Sequence, residues 1–292
     1  MSIISGQKTI FCEGKQNSLD YKLLNRVIKG IGHKCTIVPA GSKFTFSVFA
    51  SGYFSQVKST NQRYIVFRDR DFDAKPNSKV QLVPLYDRAS NKVFLSYRAC
   101  IENYLLDANL LHNYWVAKYT EKLENPSSRW GHGDSPGVEA IAAWIEDSAR
   151  NLQDYQSVRW ALGDLLRMSA SRQQLKTTWT KGSGELPAFL SLQDCKTEAL
   201  ELINQFKQAI DTVTIEEFEA SLSAYVEKFQ QDDFWIKEEY LIWFDGKDIQ
   251  KEMQRQKSQY PALKAFFDWA VTELEISQHP DLIELRTKIE QL

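Results

Sequence analysis

Three short apolar runs fall within the first hundred residues, separated by stretches long enough for crossovers. This spacing restricts the fold more than any other feature of the sequence. TIFCEG (residues 9–14), CTIVPAG (35–41) and RYIVFRDRDFD (63–73) read as strands. Between the first two, SLDYKLLNRVIKGIG places Leu19, Leu23, Leu24, Val27 and Ile28 at helical spacing. Ser18 offers an N-cap, and Gly30 and Gly32 end the run. KFTFSVFASGYFSQV (43–57) alternates in part like a strand, but its place between two strands predicts a helix. Strand–helix–strand–helix–strand requires parallel pairing with right-handed crossovers, so the predicted class is α/β with a mostly parallel sheet. KVQLVPLY and KVFLSYR add further short strands.

The rest of the chain reads differently. ACIENYLLDANLLHNYWVAKY is predicted as one long helix, and PGVEAIAAWIEDSARNLQDYQSVRWALGDLLRM follows as another. CKTEALELINQFKQAI and TIEEFEASLSAYVEKFQ are amphipathic, the second opening on a Thr214/Glu217 capping box. The run YLIWF in EEYLIWFDGKDI predicts a strand, with Lys247 just after it. Two helices, PALKAFFDWAVTEL and PDLIELRTKIEQL, close the sequence. The expected organisation is an α/β part over 1–108, a large helical insertion over 109–231, and a segment 232–292 packing back on the α/β part.

Composition narrows the function classes. The 292 residues carry a net charge of −2, so any nucleic-acid contact must come from a local basic surface or from metal ions. Cysteines at 12, 35, 100 and 195 form no CxxC pair, which removes zinc-ribbon and thioredoxin-type chemistry. No phosphate-cradling GxxxxGK[ST] sequence is present, and the histidines at 33, 112, 132 and 279 lack metal-ligand spacing. No secretory signal or membrane-length apolar run is visible, so a cytoplasmic protein without membrane association is expected.

The acidic residues carry the chemistry. In parallel sheets ligands bind beyond the carboxyl ends of the strands. Glu13, before Gly14, closes the first predicted strand, and Asp69, Asp71 and Asp73 close the third. Asp69 and Asp71 are two apart and point to one side if the strand stays extended; if it turns after Asp69, both can still aim at the pocket beyond the strand end. Such carboxylates repel unless a cation joins them, and hard divalent cations take one or two carboxylates plus water and phosphate. A calcium loop is excluded, because the positions that would need Gly and Glu hold Ala74 and Val80.

A strand ending in Glu-Gly, a second with a glycine turn and a third ending in Asp-x-Asp resembles the TOPRIM domain of topoisomerases, bacterial primases and OLD-type nucleases. The matching residues are Glu13 and Gly14 in FCEGK, Gly41 in VPAGS, and Asp69 and Asp71 in FRDRDFD. IENYLLD, with Glu102, and WFDGKD, with Lys247, resemble elements of OLD-like TOPRIM nucleases. In size and helical insertion the chain looks most like the TOPRIM effector of PARIS-type anti-phage systems, in which an ABC-type ATPase holds and releases a toxic nuclease. The resemblance implies a metal-dependent endonuclease using Mg²⁺, with Mn²⁺ as the alternative, acting on tRNA. Catalytic positions are Glu13, Asp69, Asp71 and Lys247, and metal positions Glu13, Asp69, Asp71, Asp73 and Glu102. It also implies a homodimer. DNA nicking and a catalytically silent adaptor that regulates an ATPase stand as alternatives. For nucleic-acid contact the expected residues are Lys15 and Arg70 beside the acids, and Arg172, Lys176, Trp179 and Lys181 in a basic stretch interleaved with an aromatic.

Overall fold

The computed structural model describes residues 8–31, 35–41, 63–87, 90–125, 127–168, 192–211 and 213–292. The predicted helix over 43–57 and the basic residues Arg172, Lys176, Trp179 and Lys181 lie outside these residues.

Five strands form one sheet: β1 (Lys8–Cys12), β2 (Cys35–Pro39), β3 (Tyr64–Arg68), β4 (Val83–Asp87) and β5 (Ser90–Leu95). Their order is β2-β1-β3-β5-β4. β1 pairs parallel with both β2 and β3, β3 pairs parallel with β5, and only β4 runs antiparallel, beside β5. The fold is therefore α/β with a mostly parallel sheet. β1 is buried throughout, whereas β2 at the edge is half-buried. Pro84, which cannot donate to a ladder, lies on the other edge strand. Phe11, Ala40 and Val66 form a core cluster, and Tyr64 meets the Phe11 ring edge-on at 5.7 Å.

Helix α1 (Leu19–Ile28) follows β1 and buries Leu23, Leu24 and Val27, with the Ser18 hydroxyl accepting from the Tyr21 N–H at its start. The C-terminal helices α11 (Leu263–Glu273) and α12 (Pro280–Gln291) pack on it. Arg26 Nε donates to the Leu274 carbonyl at 3.1 Å, and Arg286 donates to the Val27 and Lys29 carbonyls at 2.9 and 2.8 Å. The buried Lys8 ammonium donates to the Ile289 and Glu290 carbonyls, so the start of β1 caps the last helix turn.

The predicted helix over 99–119 is two helices, α2 (Glu102–Leu105) and α3 (Ala108–Glu124). Asp107 is extended and its side chain accepts from the Leu110 N–H, an N-cap hidden inside an apolar run. The next predicted helix also divides, into α4 (Val138–Asn151) and α5 (Gln153–Arg167).

YLIWF is not a strand. Residues 240–243 form α9 (Tyr240–Trp243), preceded by α8 (Asp232–Ile236) and followed by α10 (Gly246–Gln256). A five-residue apolar run suits a buried helical turn as well as a strand. Here its N–H groups find local partners: Trp243 and Phe244 donate back to the Glu239 and Tyr240 carbonyls. Lys247 therefore opens a helix instead of following a strand.

The chain divides into two compact units, residues 1–152 with 233–292, and residues 153–232. The second holds α5, α6 (Leu192–Asp211) and α7 (Ile215–Gln230). Within it Trp160 of α5 packs against Tyr225 of α7, and Asp164 accepts from the hydroxyls of Ser221 and Tyr225. Among the described residues, no helix is long and apolar enough to cross a membrane.

In the first unit, burial and then the charge of Arg98 lower the His279 pKa from 6.5 to about 4. The folded protein thus refuses a proton that the unfolded chain accepts, so this residue's contribution is full above pH 6.5 and is lost as pH falls towards 4. Replacing His279 by Gln is expected to flatten that part of the stability profile, measured by urea denaturation at a series of pH values.

Candidate metal centre

The strand order reverses direction about β1: the chain steps outward to β2, then returns to the other side for β3. Crossovers leave such a switch point open beyond the carboxyl ends of the strands, and β1 and β3 end there together. Gly14 follows at φ 78°, and a Cβ on it would sit 2.6 Å from the Ser18 Oγ that caps α1. Gly14 and Gly41 exchange backbone hydrogen bonds of 2.9 and 3.2 Å, tying the turn after β1 to the turn after β2. This fixes Glu13, half-buried, at the end of β1.

β3 stops at Arg68, so Asp69 is the first residue beyond the sheet and is only 4% exposed. Its Oδ1 accepts from the Ile101 N–H at 3.0 Å, and its Oδ2 lies 2.9 Å from Lys247 Nζ. Glu102, on the first turn of α2, is also buried, with Oε2 3.9 Å from the same ammonium. One lysine thus stands between two buried carboxylates.

The lysine is placed by Asn103, which is fully buried. Asn103 Oδ1 accepts from the Cys100 and Gly246 N–H groups at 3.1 and 3.0 Å, and Nδ2 donates to the Phe244 carbonyl at 2.9 Å. Gly246 touches it so closely that a Cβ would fall 2.7 Å from Asn103 Oδ1 and 2.8 Å from its backbone nitrogen. Asp245 caps α10, its side chain accepting from the Lys247 N–H at 2.9 Å. From the other side α4 steadies α10, with Trp144 Nε1 donating to the Met253 carbonyl at 3.0 Å.

The other predicted site residues are not part of this trio. Asp71 does not continue an extended strand beside Asp69. Its φ is 48°, its N–H donates to the Ala99 carbonyl at 2.7 Å, and its side chain is half-exposed. Asp73 pairs at 2.6 Å with Arg68, both side chains nearly buried. Arg70 is 0% exposed, so it is no surface contact for nucleic acid. Its guanidinium donates to the carbonyls of Tyr97, Ala74 and Ile242, which makes it a brace between the loop after β3 and the end of α9. Lys15 is exposed in the loop before α1. Among the described residues, the acidic and thiol ligand atoms that gather within 4.8 Å of one another belong to Asp69, Cys100 and Glu102.

Two members of this neighbourhood escape a reading of motifs. Cys100 is fully buried, with Sγ 3.0 Å from Asn103 Oδ1. Burial, followed by Glu102 and Asp69, pushes its thiol pKa well up. Asp20, on the first turn of α1, holds Oδ2 3.7 Å from where a Gly14 Cβ would be. Burial and then the charge of Asp69 push the Asp20 pKa well up. The only sequence signal for Asp20 was an acid in the first turn of the helix that follows β1.

The electrostatics are those of a site with too much buried negative charge. Burial pulls the Lys247 pKa down, but Asp69, Cys100 and Glu102 outweigh it and the net direction is up. Asp69 is nevertheless pushed up to about 6, because its loss of water exceeds what the lysine returns and Glu102 adds to the rise. Buried carboxylate oxygens normally have partners, yet Glu102 Oε2 and Asp20 Oδ1 accept no hydrogen bond. Two buried carboxylates, one of them with an oxygen that accepts no hydrogen bond, are a ligand set that a divalent cation fits once the ammonium between them moves aside.

No family model matches the chain, and no curated protein matches it.

Two outcomes test this geometry. Gly246→Ala is expected to lower stability by about 1–3 kcal/mol through overpacking against Asn103, read by chemical denaturation. Asp69 prefers its proton in the fold, so its contribution is full below pH 3.8 and falls as pH rises through 6. In cation-free buffer, Asp69→Asn is therefore expected to remove the part of the stability profile that falls as pH rises from 3.8 through 6, read by urea denaturation at a series of pH values.

Proposed function

We propose that this chain is a TOPRIM-like, metal-dependent endonuclease of the OLD type. The observation that carries the reading is the meeting of Asp69, Glu102 and Lys247 beyond the strand ends where β1 and β3 diverge. The Glu-Gly turn after β1 and its bridge to Gly41 support it further.

Asp69 and Glu102 would hold the cation, magnesium or manganese, with the uncommitted Glu102 Oε2 as the first oxygen available to it. A bound divalent cation supplies Lewis-acid polarisation of a phosphodiester. Glu13, at the end of β1, is the group placed to hold or move a proton beside the phosphate. Lys247 has a side chain 45% exposed, against 5% for Asp69, so its ammonium can turn from the carboxylates to a phosphate at the mouth of the site. There it would offset charge that grows during cleavage. Asn103 and Asp245 orient the backbone around it and touch no substrate.

RNA, tRNA in particular, is the proposed substrate class, and an ABC-type ATPase the proposed partner that restrains the effector in anti-phage defence. Both rest on the resemblance of FCEGK, FRDRDFD, IENYLLD and WFDGKD to that group.

The purified chain is expected to cleave total tRNA with Mg²⁺ and to stop in EDTA. Glu13→Ala and Lys247→Met are each expected to lower the rate by at least about 100-fold. Nicking of supercoiled plasmid with tRNA left intact would transfer the reading to DNA. Binding of an ATPase without cleavage of either nucleic acid would favour the adaptor.

A further inference from the structure

The Asp69–Cys100–Glu102 group differs from a pure carboxylate site in one respect, its sulfur. The three ligand atoms lie within 4.8 Å of one another, all on buried residues. Asp69 directly follows β3, Cys100 lies in the loop that follows the neighbouring parallel strand β5, and Glu102 lies two residues beyond Cys100. The thiol makes a 3.0 Å contact with Asn103 Oδ1 and a longer one, 3.6 Å, with Asp245 Oδ1. Glu102 is 9% exposed, and its Oε2, facing the same space, accepts no hydrogen bond. That unfilled acceptor is an observation separate from the cysteine: its charged neighbour, the Lys247 ammonium, stands 3.9 Å away, beyond hydrogen-bond reach, and leaves the oxygen's lone pairs available to a cation.

Hard cations such as magnesium avoid sulfur, whereas thiolate favours zinc and cadmium. Zinc holds sulfur at about 2.3 Å and carboxylate oxygen at about 2.0–2.2 Å, so tetrahedral ligands lie about 3.5 Å apart. Side-chain rotation of about 1 Å therefore suffices to close the group around one ion.

We propose that Asp69, Cys100 and Glu102 form a binding site for a thiophilic divalent cation, zinc or cadmium, that is distinct in chemistry from the magnesium mode and excludes it. On binding, the Cys100 S–H bond breaks, a cation–sulfur bond forms, and the proton leaves to solvent; no electrons are exchanged. The ammonium of Lys247 withdraws from Asp69 along its exposed flank. Since the thiophilic ion takes both carboxylates, it silences the nuclease. That last consequence rests on the function proposed above, whereas the site itself does not.

The test uses the full chain, reduced and freed of metal, titrated with Cd²⁺ and followed by the ultraviolet sulfur-to-cadmium charge-transfer band. One equivalent is expected to saturate the band, with release of a proton to a pH indicator. Cys100→Ser is expected to lose the band while keeping the thermal shift given by Mg²⁺. Glu102→Gln is expected to weaken cadmium binding at least 10-fold. No band in the wild type overturns the proposal, as does a band unchanged in Cys100→Ser, since Cys12, Cys35 or Cys195 would then be its source. Should Cys100→Ser fail to fold, Glu102→Gln and Asp69→Asn decide, and an undiminished affinity in both overturns the site. A cadmium band without any Mg²⁺ thermal shift would keep this site and sink the magnesium reading. A Mg²⁺ shift without a band would do the reverse.

Discussion

The candidate site depends on one buried carboxamide. Asn103 is not a ligand and carries no charge, yet its oxygen accepts N–H groups from Cys100 and Gly246 while its nitrogen donates to Phe244. It thereby sews the loop after β5 to a turn 141 residues away in sequence. An amide suits this task because it offers donors and acceptor together, so both backbone polarities are met by one side chain. Removing it would leave buried N–H and C=O groups unpaired, each costing about 1–3 kcal/mol. The absence of a Cβ at Gly246 is the other half of the joint, since any side chain there would push the turn, and Lys247 with it, off the carboxylates.

The joint holds together a charge arrangement that does not stabilise itself. A buried ion pair usually recovers only part of the desolvation of its members. Here one ammonium serves Asp69 closely and Glu102 distantly, while Asp20 adds its field from α1. The upward shift of Asp69 despite a 2.9 Å lysine measures the imbalance. Elsewhere the fold settles its buried charges locally. Arg68 and Asp73 pair directly, Arg70 is saturated by carbonyls, and Lys8 caps α12. Unbalanced charge in the crevice beyond β1 and β3 marks it as a candidate site.

Much of this was legible in the sequence, and the failures have physical causes. The strands β1 to β3 and α1 follow from apolar runs, a Ser cap and glycines, because local chemistry fixes them. Of the two arrangements open to the Asp-x-Asp pair, the structure takes the one in which the chain turns after Asp69. The period-of-two rule places Asp71 beside Asp69 only while the strand stays extended. β3 ends at Arg68, and Asp71 turns into the left-handed region. Arg70 looked like a contact for phosphate because charge reads as surface, but a guanidinium with three carbonyl partners is stable when buried. YLIWF misled because a five-residue apolar run carries too little periodicity to tell a helical turn from a strand. Cys100 and Asp20 had no motif to announce them, and Asn103 lay inside IENYLLD without a sign of its structural part. Their roles arise from positions that tertiary packing brings together.

The placement of Lys247 also shows how the frame of the candidate site tolerates a long intervening segment. Residues 153–232 form a compact unit of their own between α4 and the helices that carry Lys247. Closing a loop costs free energy that grows only as the logarithm of its length, so a long excursion adds little once the ends are anchored. Both ends are anchored here within the first unit. Trp144 and Ser148 of α4 bond to Met253 and Gln256 of α10, and Asn151 reaches Glu252. These contacts fix α10 against the helix from which the excursion departs, while Asn103 fixes its first turn against the sheet. The lysine's position is therefore set by α4 and by the loop after β5.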